Sequence, residues 1–163
     1  MDHLKVALTQ VASIAERRIF RITYGQLSGL PSYLVESNGL NSGLMLAQYT
    51  AASRLSECKG LAHPASVDSI PTIQHREDHV SMGPLAAAGA LHILELLADV
   101  VAIELLCAAQ GLDFHLEAGD RPAEGTMEIY RRVRERVPRW DADRVLHHDL
   151  KTLGQAVRAG VFA

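Results

Sequence analysis

The sequence is short of everything that would mark a secreted, membrane-spanning or polyanion-binding chain. It has only two cysteines in 163 residues, with no CxxC pair and no signal peptide accompanying them, so no disulfide framework is expected. Cys58 and Cys107 stand in apolar, Ala-rich surroundings, where a thiol behaves as a small hydrophobe; a reducing cytoplasm is expected. Positive charge is also scarce. The formal net charge is -3, so nucleic acid or an acidic membrane would have to be held by a local basic patch. The two candidate patches are Arg17, Arg18 and Arg21, and then Arg131, Arg132, Arg134, Arg136 and Arg139. Both are interleaved with Glu or apolar residues at helical spacing, the pattern of an ion-paired helix face, so no nucleic-acid partner is expected. Nor is there an uninterrupted hydrophobic span. Residues 84–110 are long enough to cross a bilayer, but His92, Glu95, Asp99 and Glu104 lie inside the run. Each acidic residue at mid-membrane costs roughly 2.5 to 3.5 kcal/mol against about 0.3 to 0.6 gained per Leu or Val. This run reads as a helix buried in protein, and no membrane association is expected.

Alternating strand patterns, internal repeats and low-complexity tracts are missing too. What is present is helical periodicity on a chain with 48% hydrophobic residues, enough for one domain, residues 1–163, burying roughly 70% of its unfolded surface. Leu4, Leu8, Val11, Ala15, Ile19 and Ile22 step by three or four along a first helix that ends near Gly25. Asn41 or Ser42 is placed to cap a second helix carrying Leu44, Ala47, Gln48, Ala51 and Leu55. Pro64 and Pro71 make residues 60–73 an extended connector. A third helix, from about Pro84 to a cap at Gly111, would be roughly 40 Å long. Such a near-continuously apolar helix asks for cover from another subunit or domain. A fourth helix carries Met127, Tyr130, Val133 and Val137 and closes at Pro138. A fifth, capped near Asp149, carries Leu150, Leu153 and Val157. The expected fold is all-α, an elongated helical bundle.

The densest group of chemically able side chains is "HREDH", His75 to His79, just before the apolar run. Three readings stand side by side. His75 and His79, four apart, would share a helix face and could hold a divalent metal with Glu77, Asp78 or His63. The five residues could instead be a polar helix start, with Glu77 and Asp78 near the positive end of the helix dipole and Arg76 paired to one of them. Or Glu77 could be a pocket carboxylate at the edge of a buried helix. Residue chemistry alone leaves all three open.

The segments "SGLPSYLVESNGLNSGLMLAQYTAA", "LAHPASVDSIPT", "EDHVSMG" and "AIELLCAAQGLDF" resemble, in order, the C-terminal portion of the aromatic amino-acid ammonia-lyase family, and within it the histidine ammonia-lyases. The resemblance covers essentially the whole chain. It implies an all-α fold whose long helices form the core of a homotetramer, with active sites built from more than one subunit. It also implies elimination of ammonia from an amino acid, giving urocanate when histidine is the substrate. The family's electrophile is a methylidene-imidazolone group made from an internal Ala-Ser-Gly. This sequence has none: Ala12-Ser13, Ala52-Ser53 and Ala65-Ser66 are followed by Ile14, Arg54 and Val67. The N-terminal prosthetic-group domain is therefore expected to be absent, no cofactor is expected in this chain, and the isolated chain should be inactive. Glu77 is the one catalytic position the resemblance carries over, a glutamate facing the substrate imidazole. The family's usual Asn-Gln before Glu-Asp is replaced here by His75 and Arg76, and Arg76 would be free to pair with Glu77 and compete with substrate. The alternatives are a non-catalytic helical oligomerisation module and a small metal-binding helical protein using His75 and His79.

Overall fold

The structure, a computed structural model, describes residues 1–163. Its elements are six helices: α1 Asp2–Thr23, α2 Gly25–Ser28, α3 Met45–Leu61, α4 Gly83–Glu117, α5 Glu124–Arg134 and α6 His147–Arg158. Two 3-10 turns, Ser32–Leu34 and Ala65–Val67, sit in the loops, and there is no β-strand. The all-α expectation holds. No helix is long and apolar enough to cross a membrane.

Helix α1 follows its predicted stripe only in part. Ala15 and Ile19 are fully buried, but Leu4 and Val11 face outward, and Lys5, Thr9, Ala12, Glu16 and Thr23 take buried places. The physical reason is the smallness of Ala12 and Ala15, which lets α1 approach the Ala-rich faces of α3 and α4. The polar residues brought in with them are satisfied. Thr9 and Thr23 donate to the carbonyls of Lys5 and Ile19, each at 2.8 Å. Glu16 accepts from Arg17 and from Gln48 of α3. Burial raises the Glu16 carboxyl, and these hydrogen bonds outweigh it, so that its pKa lies below the ordinary value. At the start of α1, Lys5 bonds Asp2 at 2.8 Å and the carbonyl of His63 at 2.7 Å. Asp2 in turn accepts the backbone N–H groups of Ala65 and Ser66. The Lys5 ammonium holds the Asp2 carboxyl far below the usual carboxylate range.

Three predicted boundaries are corrected. Neither Asn41 nor Ser42 caps α3 through its side chain. The Asp143 carboxylate, a hundred positions away, accepts the N–H groups of Ser42 and Gly43 at 2.8 and 2.9 Å, and Asn41 instead receives the Asp143 N–H. Gly111 does not end the long helix. α4 continues to Glu117, followed by Gly119 at φ 90°, and is about 50 Å long. Gly111 is a close-approach position: a Cβ there would lie 2.8 Å from Ile22 Cδ1 and 3.1 Å from Leu30 Cδ1. Lastly, α6 starts at His147, before Asp149, whose carboxylate takes Arg144 at 2.8 Å rather than a capping bond.

The core sits around the C-terminal half of α4. Val100, Ala102, Ile103, Leu106 and Cys107 meet Ile19 of α1, Leu44, Ala47 and Ala51 around α3, Val133 of α5, Trp140, and Leu153 of α6. Burial pushes the Cys107 thiol up to about 12, which makes it a packing group and not a nucleophile. The N-terminal half of α4 is different, because Leu85, Leu91 and Leu94 are all more than half exposed.

Candidate functional site

Glu77 lies on a tight exposed turn between the Ala65–Val67 segment and α4. Pro71 presets an extended entry. The backbone then folds back so that the Thr72 N–H donates to the Glu77 carbonyl at 3.1 Å, the Glu77 N–H returns to Thr72 at 3.4 Å, and the Arg76 N–H closes on Ile73 at 3.1 Å. To make that reversal, Ile73, Gln74 and His75 all adopt positive φ, at 51°, 55° and 66°. The left-handed region costs an L-residue roughly 1–2 kcal/mol, and a β-branched residue such as Ile73 is the least suited to it. Three such residues in succession are an unusual store of strain, of the kind that clusters at ligand clamps and active sites.

The turn fixes one carboxylate oxygen. The Thr72 hydroxyl donates to Glu77 Oε2 at 2.7 Å, and nothing in the chain bonds Oε1. Further on, Ser69 Oγ receives the Val80 N–H at 2.9 Å, tying the far side of the loop. Helix α4 begins only at Gly83.

Two readings of "HREDH" are thereby corrected. The segment is not a helix start, since four residues separate Asp78 from Gly83, the first residue of α4, too far to meet its dipole. His75 and His79 share no helix face because the segment is not helical. No group of three His, Cys, Asp or Glu side chains, His63 included, is arranged to hold a metal ion. Arg76 forms no ion pair with Glu77; the hydroxyl of Thr72 holds that carboxylate instead. Sequence reasoning missed Thr72 altogether. Its signal was the Pro-Thr step five residues before the glutamate, which becomes legible only once the turn is known.

The three Ala-Ser pairs do not fit a cyclised prosthetic group. Ala12-Ser13 and Ala52-Ser53 lie inside α1 and α3, and Ala65-Ser66 lies in a 3-10 turn. Cyclisation needs a free main-chain N–H two residues on to attack the Ala carbonyl; within helices those groups are engaged in the backbone ladder, and none of the three pairs has the glycine that would let the chain close on itself.

A family model described as aromatic amino acid lyase matches residues 1–135. Histidine ammonia-lyase of Caldanaerobacter subterraneus subsp. tengcongensis is 51% identical over 160 residues, 98% of this chain and 31% of that protein. The crystal structure of histidine ammonia-lyase from Trypanosoma cruzi superposes with a TM-score of 0.93 at 42% identity, covering 99% of this chain and 31% of that one. The tyrosine aminomutase of Streptomyces globisporus superposes equally well, TM-score 0.93, at 35% identity and the same coverage. The chain thus spans about a third of the length of the relatives it matches.

Proposed function

This chain belongs to the aromatic amino acid lyase family, and from that premise we propose that it is the C-terminal part of an ammonia-lyase converting L-histidine to urocanate and ammonia, with Glu77 as the residue that holds the substrate ring. The observation that carries this reading is the Glu77 carboxylate itself, anchored on one oxygen by Thr72, open on the other, and presented by a strained turn. A carboxylate so held is suited to accept a hydrogen bond from an imidazole N–H, or to pair with an imidazolium. The methylidene-imidazolone electrophile is assigned to an Ala-Ser-Gly segment outside these residues, and no step through it is built on this chain. We place the assembly in the cytoplasm.

The test is to join these residues to an Ala-Ser-Gly domain from a close relative and compare variants on histidine. Glu77→Gln removes one charge-assisted hydrogen bond, worth roughly 1.5 to 3 kcal/mol, and should lower kcat/KM by about ten- to a hundred-fold. Asp78→Asn and His79→Ala should stay near the parent. Equal turnover by parent and Glu77→Gln would sink the assignment.

A self-association role accompanies this reading and stands as the alternative if catalysis is absent. Leu85, Leu91 and Leu94 on α4, Leu46 and Tyr49 on α3, and Leu4, Val11 and Ile14 on α1 are all exposed. So much open apolar surface is unusual for a monomer and fits contact with further copies or with the remainder of a longer chain. Sedimentation of the purified chain should show a dimer or tetramer. A monodisperse monomer that binds no hydrophobic dye would count against it.

A further inference from the structure

Away from Glu77, three helices converge on a polar pocket of about 340 Å³ lined by Arg54 of α3, Asp99 of α4, and His147, Lys151, Gln155 and Arg158 of α6. Its electrostatics are the reverse of the chain's. Three permanent cations face one carboxylate, so the lining carries two positive charges in excess on a chain whose net charge is -3. The one carboxylate is already engaged: Arg158 Nη2 donates to Asp99 Oδ1 at 2.6 Å. Gly154 makes that approach possible, since a Cβ there would stand 2.9 Å from Arg158 Nη1 and 3.3 Å from Asp99 Oδ1.

Arg54 is left poorly served. Its nearest carboxylate oxygens, on Asp99 and Glu57, are 3.5 and 3.7 Å away, outside good hydrogen-bond range. Its Nε is shielded from solvent and, beyond the long 3.5 Å contact to Asp99 Oδ2, has no hydrogen-bond partner. A guanidinium offers five N–H donors and no acceptor, and although the Arg54 side chain as a whole is partly exposed, its shielded Nε–H is left without an acceptor. Lys151, two turns from Arg158 on α6, takes part in no ion pair.

We propose that this pocket binds a small dianionic oxyanion, held between Arg54, Lys151 and Arg158. A dianion matches the two excess charges, and its oxygens supply the acceptors that Arg54 lacks. The guanidinium forks favour planar or tetrahedral oxygen pairs over a spherical ion such as chloride. The concave shape, unlike a stripe along a surface, suits a small molecule and not a nucleic-acid backbone.

The test is calorimetric titration of the purified chain with inorganic phosphate, and separately with succinate, at an ionic strength fixed by sodium chloride. Saturable binding of one equivalent is expected for at least one of the two; phosphate alone points to a tetrahedral anion and succinate alone to a dicarboxylate, and either supports the site. Lys151→Gln and Arg54→Gln should each weaken binding by about ten- to a hundred-fold, while Arg121→Gln, a surface cation elsewhere, should not change it. Lys151 is exposed, so its variant keeps the fold even if Arg54→Gln does not, and circular dichroism checks this. No saturable binding of either anion, affinity unchanged in Lys151→Gln, or an equal loss in Arg121→Gln would overturn the proposal.

Discussion

Purified by itself and given L-histidine, the chain is expected to release no urocanate above the uncatalysed background, however well it folds. The reason lies in how little of the chemistry its residues can perform. Even with Glu77 holding the substrate ring as proposed, such a contact leaves the proton beside the ring as weakly acidic as in water, because binding accelerates a reaction only where it is stronger in the transition state than in the ground state. The family's answer to that problem is an electrophile made from Ala-Ser-Gly, and the three Ala-Ser pairs here lack the glycine, two of them inside helices and the third in a 3-10 turn. The site is also open: residues 72–79 are exposed on every side, so water would compete for Glu77 and no low-dielectric enclosure would strengthen its hydrogen bonds. The measurement is absorbance of urocanate from chain expressed in a host deleted for its own lyase. Turnover that tracks the purified chain through successive columns would refute the expectation.

How much of this was legible in the sequence depends on the range of the interactions involved. The helices were, since a stripe such as Ala47, Ala51 and Leu55 is a local pattern and all three residues are buried. The end of α4 was not. A glycine before a polar stretch reads as a cap, and only the approach of Ile22 and Leu30, roughly ninety positions earlier in the chain, shows Gly111 to be a packing site. The capping of α3 failed for the same reason, because Asp143 does from a distance what Asn41 or Ser42 was expected to do locally. At the candidate site the setting of the proposed residue was not legible. Glu77 stood out through resemblance, but helix dipole, metal face and Arg76 pairing all presupposed a helix that the backbone declines to form. Three non-glycine residues at positive φ leave no mark in a sequence, since each is unfavourable alone and is imposed by the closure around Thr72 and Glu77.

Loss of the Arg134 side chain should do the largest damage to folding that any single truncation examined by urea unfolding would show. Arg134 is 13% exposed and pairs with Asp113, which is 6% exposed. Its other Nη2 contact, at 3.1 Å, is Gln110 Oε1, and its Nη1 donates to the carbonyls of Val137 and Pro138. Gln110 is completely buried and acts as the hub: its amide nitrogen donates to Leu34 O at 3.2 Å and Trp140 O at 2.9 Å, and its oxygen also receives the Trp140 N–H at 2.9 Å. The network therefore ties α4 to the Leu34 turn, itself at φ 58°, and to the segment after α5. Tyr130 bonds the remaining Asp113 oxygen at 2.6 Å, and burial together with that carboxylate raises its phenol. In Arg134→Ala the Asp113 charge stays buried with only a phenol to answer it, which costs about 3–5 kcal/mol, against a total stability of about 5–15 kcal/mol for a domain. Tyr130→Phe removes one hydrogen bond and should cost about 1 kcal/mol. The double variant Arg134→Leu with Asp113→Leu should be more stable than Arg134→Ala alone, since replacing both charges leaves neither stranded. Should Arg134→Ala shift the urea midpoint no further than Tyr130→Phe does, the pair contributes as a solvated surface bridge would, and the network is not what joins these three segments.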